Sequence, residues 1–176
     1  MKFHALAIAG AFLVEPERIE DERGSFARTF CREEFAAHGL AADLAQCSMS
    51  FNRLRGTLRG LHYQSHPHAE TKLVRCTRGA IRDVIVDLRR GSPSFAHWEA
   101  LELSAANANA VYVPQGCAHG FLTREDASEL HYQLSVPFPG GSAAGVRWDD
   151  PAFAIDWRDP VRVISERDRT YPDFVR

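Results

Sequence analysis

Four cysteines are spread along 176 residues, at positions 31, 47, 76 and 117, and no two of them form a C-x-x-C pair. That spacing excludes a zinc knuckle and a dithiol redox motif, and it reads as free thiols in a reducing compartment, which points to the cytoplasm. Twelve glycines are present, yet there is no G-x-G-x-x-G after a strand and no Walker sequence. A nucleotide, if bound, is therefore held by side chains on sheet faces rather than by a glycine-rich phosphate loop. A large excess of either charge is also missing: 21 Lys and Arg against 23 Asp and Glu give a formal net charge of -2. No basic field exists for nucleic acid or an anionic membrane, so neither is an expected partner. The apolar opening at residues 5–14 is about half the ~20 residues a membrane helix needs, and no cleavable small-residue pattern follows it.

With 45% hydrophobic and 25% charged residues, the composition is that of a soluble globular protein. Its length suits one domain, 1–176, without a linker. Residues 80–87, Ala-Ile-Arg-Asp-Val-Ile-Val-Asp, are rich in β-branched types and partly alternate, which predicts a strand. Segments 72–76, 98–103, 110–113, 128–134 and 161–164 follow the same logic. Between them lie the turn signals Arg78-Gly79, Gly91-Ser92-Pro93, Asn107 and Asn109, and Gly140-Gly141. Helix is scarce. One is expected over 32–38, with Glu33 and Glu34 in its first turn and Gly39 ending it. Many short strands divided by Gly and Pro indicate an all-β chain, a sandwich or a double-sheet barrel with a few short helices.

The densest chemistry lies in residues 55–64, Arg-Gly-Thr-Leu-Arg-Gly-Leu-His-Tyr-Gln, followed by Lys72. Histidine is the residue type able to act as a base at neutral pH, which makes His62 a candidate, although a histidine beside aromatics also reads as structural. Arg53, Arg55, Arg59, Lys72, Arg75 and Arg78 form the one local cationic cluster, either an anion site or a set of solvated strand faces. A second signal is P-x-G-x-x-H at 114–119, which sets His119 on the strand after a tight turn. It resembles the second motif of cupins, the jelly-roll barrels. His66 and His68, with Glu70 close behind, loosely imitate the metal-ligating first motif. The alternative that follows is a metal-dependent cupin using His66, His68 and His119.

Asp-Glu-Arg-Gly-Ser-Phe at 21–26, Arg-Gly-Leu-His-Tyr-Gln at 59–64, Lys-Leu-Val-Arg-Cys at 72–76 and Asp-Val-Ile-Val-Asp-Leu-Arg at 83–89 occur in that order. Pro-Gln-Gly-Cys-Ala-His-Gly-Phe at 114–121, Gly-Val-Arg-Trp-Asp-Asp-Pro at 145–151 and Ile-Ser-Glu-Arg-Asp at 164–168 complete the series. In this ordered set, from Phe12 to Phe174, the chain resembles the dTDP-4-dehydrorhamnose 3,5-epimerases. The resemblance implies a cupin-like double-sheet jelly-roll barrel with its core over about 45–140. It implies a homodimer, without metal or other cofactor, acting on a dTDP-4-keto-6-deoxyhexose on the route to dTDP-L-rhamnose. By position in the family, His62 matches the general base, Asp168 its orienting carboxylate, Lys72 the cation near the ketone oxygen and Tyr132 the acid. Arg59, His119 and Gln46 match the nucleotide and sugar pocket, and Arg23 with Phe26 match residues reached from the partner subunit. Phe138 stands where the family often has a second active-site tyrosine, Arg28 where glutamate is frequent and Ser48 where asparagine is common. These departures bear on the sugar taken and on whether one carbon or two is inverted.

The chemistry of the residues agrees with those roles. A hydrogen beside a ketone is weakly acidic, and its removal leaves an enolate whose oxygen needs a cation such as Lys72. Inversion needs a donor on the other face, and a tyrosine is protonated at neutral pH. A carboxylate on the histidine holds its tautomer. Apart from the family, Asp168 also reads as a surface residue of a polar run, Lys72 as a solvent-facing strand residue and Tyr132 as a half-buried aromatic. Arg23 and Phe26 also read as exposed loop residues, and Gln46 as a polar residue at a strand edge. Beyond the double epimerase stand a single-carbon epimerase, the metal-dependent cupin and a non-catalytic sugar-nucleotide-binding barrel.

Overall fold

The computed structural model describes residues 1–137 and 143–175. Among them two sheets face each other. The first has the order β1 (Lys2–Ala5), β2 (Phe12–Glu15), β10 (Ala110–Val113), β7 (Lys72–Arg78), β12 (Ser128–Leu134), β5 (Gln46–Asn52). The second runs β13 (Ala143–Gly145), β6 (Thr57–Gln64), β11 (Cys117–Thr123), β8 (Ala80–Asp87), β9 (Trp98–Ser104), with β14 (Val163–Ile164) lying parallel to β6. A separate hairpin joins β3 (Arg18–Asp21) to β4 (Gly24–Ala27). The helices are α1 (Arg32–Ala37) and α2 (Glu166–Arg169). Strands from outside 45–140, namely β1, β2, β13 and β14, join the two sheets.

The core follows from the pleat. Val74, Ile81, Ile85, Leu103, Val111, Phe121 and Leu130, drawn from both sheets, form one buried cluster between them. The opposite face of the second sheet is covered by the C-terminal segment, where Val146, Phe153 and Trp157 meet Leu58, Leu61, Val84 and Leu122. Strand β8 is therefore buried on both faces, which explains its near-continuous apolar run. Helix α1 sets Phe35 against Val14, Leu73 and Tyr112 on the outer face of the first sheet. As expected, Gly39 ends this helix: at φ +70° it donates to the Ala36 carbonyl while Leu40 donates to that of Phe35, a Schellman closure.

Strands β8, β10 and β12 occupy the residues that alternation indicated, and β7 and β9 extend slightly past them. Strand β5 was not legible because its pattern is inverted. Gln46, Ser48 and Ser50 turn inward, while Cys47, Met49 and Phe51 are exposed. A polar lining on the inner face, described below, is the reason. Strand β3 is exposed at every position, so no core imposes alternation on it.

Gly60 sits where β6 and β11 come closest. Its φ is +132°, and a Cβ there would lie 2.5 Å from Gly120 Cα and 3.0 Å from the His119 carbonyl oxygen, backbone that has little room to move. Gly60→Ala is therefore expected to lower stability by at least about 2 kcal/mol. Urea denaturation followed by circular dichroism measures this, and an unchanged midpoint would contradict the packing just described.

Candidate active site

A cleft of about 600 Å³ opens between the sheets, and His62, Lys72, His119, Tyr132, Asp168 and Arg59 all line it. Register explains the meeting. His119 on β11 is the cross-strand partner of His62 on β6. Across the cleft, β12 carries Tyr132 beside Val74 and sets Leu134 between Lys72 and Gln46. The histidines thus stand on one sheet, and Tyr132 and Lys72 on the other.

Asp168 reaches His62 by a different route. Strand β14 pairs with the start of β6, and α2 begins directly after it, its first turn capped by Ser165, whose Oγ accepts the Asp168 N–H at 3.1 Å. The Asp168 carboxylate then lies 2.7 Å from His62 Nε2 through Oδ1 and accepts the Gly60 N–H through Oδ2 at 3.1 Å. Burial opposes charge on this carboxyl, but the His62 hydrogen bond and charge and the Gly60 N–H outweigh it, so its pKa lies below the ordinary aspartate value. With Nε2–H donating to a carboxylate, a neutral His62 keeps its lone pair on Nδ1, the atom able to take a proton. The His62 side chain is 38% exposed and that of Asp168 only 5%, so the imidazole is reachable from the cleft while its carboxylate is not.

His119 repeats the arrangement in the interior: its Nε2 lies 2.7 Å from Asp83 Oδ2, and both side chains are buried. Tyr132 packs edge-on to the His119 ring at 6.4 Å. Burial, and then the charge of Asp83, push its hydroxyl well above the usual tyrosine pKa, with Arg59 and Ser50 opposing. At neutral pH it carries its proton. Arg59 is oriented by Asn52, whose Oδ1 accepts from Nε at 2.8 Å. The Lys72 ammonium donates to the His62 carbonyl oxygen at 3.2 Å and pairs with Glu70 Oε1 at 3.2 Å.

The remaining expected residues lie elsewhere. Gln46 is on the inward row of β5 but outside the cleft lining, and its amide reaches Ser48 Oγ at 3.2 Å. Arg23 and Phe26 are on the β3–β4 hairpin, with Arg23 paired to Asp21 and Phe26 71% exposed; neither lines this chain's cleft. Arg28 pairs with Glu34 on the surface. Phe138 lies outside the described residues. The metal-binding alternative is not assembled: His66 and His68 are exposed, His119 is engaged by Asp83, and among the described residues no three His, Cys, Asp or Glu side chains converge.

Several cleft residues escaped the sequence reading. Ser50, Ser165 and Arg167 line the cleft, and Tyr171 stands edge-on to His62 at 6.4 Å while accepting a hydrogen bond from Arg167 Nε at 2.7 Å. Ser-x-x-Asp at 165–168 is an N-cap signal that places Asp168 in a first helical turn. Asp83, a charge within an apolar strand, was the visible sign of the second histidine–carboxylate pair.

A family model described as dTDP-4-dehydrorhamnose 3,5-epimerase matches residues 5–175. The chain is 40% identical over 175 residues to the dTDP-4-dehydrorhamnose 3,5-epimerase of Sinorhizobium fredii, covering 99% of this chain and 90% of that protein. It is 38% identical over 170 residues to the dTDP-4-dehydrorhamnose 3-epimerase of Streptomyces niveus, covering 96% and 82%. Among solved structures, the Bacillus anthracis dTDP-4-dehydrorhamnose 3,5-epimerase with TDP and PPi bound superposes with a TM-score of 0.94 at 36% identity, covering 98% of this chain and 99% of that one. A cupin-like barrel whose cleft holds a carboxylate-bound histidine opposite a protonated tyrosine, matched over nearly its whole length by these proteins, belongs to the dTDP-4-dehydrorhamnose 3,5-epimerase family, and the chain is an isomerase of that family.

Proposed function

We propose that the chain inverts C3 and C5 of dTDP-4-keto-6-deoxy-D-glucose through enolate intermediates, in dTDP-L-rhamnose or a related deoxysugar biosynthesis. The observation that carries this reading is the opposition of His62 and Tyr132 across one cleft, the first backed by Asp168 and the second protonated. His62 takes the proton from the carbon beside the ketone, and Asp168 stabilises the imidazolium that results. Lys72 offers its ammonium to the oxygen on which charge develops. Tyr132 then protonates the carbon from the opposite face. Its raised pKa keeps the proton in place until an enolate forms, and an enolate carbon is far more basic than a phenolate, so the transfer runs downhill.

The TDP held by the Bacillus anthracis protein supports a thymidine diphosphate handle. Arg59 supplies a cation within the cleft for the diphosphate, with His119 as a neighbour of the nucleotide and sugar; Gln46, on the inward row of β5 but outside the lining, would join them only if the ligand extends past it. The hairpin carrying Arg23 and Phe26 stands away from its own cleft, which fits a homodimer in which it reaches the partner's site. Four free cysteines fit a reducing cytoplasm. The whole chain then acts as a single epimerase domain.

The Streptomyces niveus relative, named as a 3-epimerase, keeps a single-carbon reaction in view. With substrate in deuterated water, NMR is expected to show exchange at both C3 and C5; exchange at one carbon alone supports the single-carbon reaction, and binding without exchange a non-catalytic barrel. His62→Ala is expected to abolish exchange, with kcat falling about 10³-fold. Tyr132→Phe is expected to keep wash-in of deuterium but lose inversion, since the enolate is reprotonated from the side it came from. Wild-type turnover by either variant would remove the residue from its role.

Asp168→Asn is expected to lower kcat about 10³-fold by releasing the His62 tautomer. Because the carboxyl of Asp168 titrates below 3.8, the stability it contributes is present above that pH and is lost as pH falls through its lowered value. The stability gap between wild type and Asp168→Asn is therefore expected to narrow as pH drops below about 4, read by urea denaturation at a series of pH values. A gap independent of pH contradicts the pairing.

A further inference from the structure

Glu70 lies in the connection between β6 and β7 and is 7% exposed, an uncommon place for a carboxylate. One oxygen, Oε2, accepts from the Gln64 amide at 2.6 Å, while Oε1 faces the Lys72 ammonium at 3.2 Å. Lys72 is itself buried at 9% exposure, and its Nζ also donates to the carbonyl oxygen of His62. Gln64, Glu70, Lys72 and the backbone of His62 thus form one connected polar chain. Of its four members, Lys72 and His62 line the cleft and Glu70 does not.

A buried ion pair is a poor device for stability alone, because desolvating both charges offsets most of their attraction and an apolar pair of similar volume serves as well. What the pair does here is geometric. An ammonium has three donors on a flexible four-carbon stem. One of them goes to the His62 carbonyl and one faces Glu70, which leaves the third for an oxygen in the cleft. Anchored at two points, the charge is held at a set distance from the backbone of the base instead of searching among rotamers.

We propose that Glu70 is a positioning residue for epimerisation: its carboxylate, fixed by Gln64, holds the Lys72 ammonium on the cleft wall beside His62. This rests on the reading of Lys72 as the cation that meets the enolate oxygen. Glu70→Gln preserves shape and removes the charge. It is expected to lower kcat for C3 and C5 exchange about tenfold while KM for the dTDP-sugar stays within about twofold, since the lost interaction serves the transition state. Added to Lys72→Met it is expected to cost nothing further, because Glu70 acts through that lysine. Calorimetric binding of dTDP reports whether each variant is folded. If Glu70→Gln does not fold, Glu70→Asp, which keeps the charge but withdraws it by one methylene, carries the test with a smaller loss of kcat at unchanged KM. Wild-type kcat in the folded Glu70 variant, or an equal further loss in the Lys72→Met background, overturns the role of Glu70 while leaving that of Lys72 standing. Wild-type kcat in Lys72→Met overturns the reading of Lys72, and this proposal with it.

Discussion

The hydrogen bond from His62 to Asp168 joins residues 106 positions apart, and much of the molecule is arranged so that it forms. The C-terminal segment must cross the outer face of the second sheet, burying Phe153 and Trp157, before β14 pairs with β6. Ser165 must start α2 at one particular residue for Asp168 to fall in its first turn. Gly60 must be glycine to adopt φ +132° and let β11 approach, and in that conformation its N–H reaches the second carboxylate oxygen. Asp168 is almost wholly buried, so a misplaced tail would leave an unpaired charge in the interior, a costly state that selects the correct docking.

The two sheets divide their labour along the same lines. Between them the side chains are apolar, and Phe121 at the edge of that core is also part of the cleft wall. Beyond it the inward row of β5 turns polar, and histidine, lysine and tyrosine project from facing strands. Three of the cleft's titratable side chains each have a carboxylate partner: Asp168 for His62, Asp83 for His119, Glu70 for Lys72. Such pairing makes polar side chains tolerable in a barrel mouth and at the same time fixes their orientation. Pairing with His62 holds Asp168 ionised, while burial, and then the charge of Asp83, keeps Tyr132 protonated across the neutral range.

Much of this was legible from residue order. Alternation and β-branched content located β8, β10 and β12, because each lies in a sheet whose burial imposes the pattern. Gly39 marked the end of α1, and the Arg-Gly-Leu-His stretch pointed to His62, since these are local signals. The ordered motifs carried the family resemblance, and with it the roles expected of residues whose own neighbourhoods say little.

Local sequence did not determine which carboxylate meets which histidine or lysine. Asp168 sits in a run of charged residues that reads as surface, and only parallel pairing of β14 with β6 carries it inward. Asp83 meets His119 through the pairing of β8 with β11, and Glu70 meets Lys72 because the connection before β7 buries its carboxylate beside that lysine. Strand β5 was hidden for a related reason, its polar residues facing in and its apolar ones out, the reverse of what a simple core demands. Local patterns encode which residues are strand, turn or helix end, whereas the partners of buried charges are set by long-range register, which only the closed pair of sheets determines.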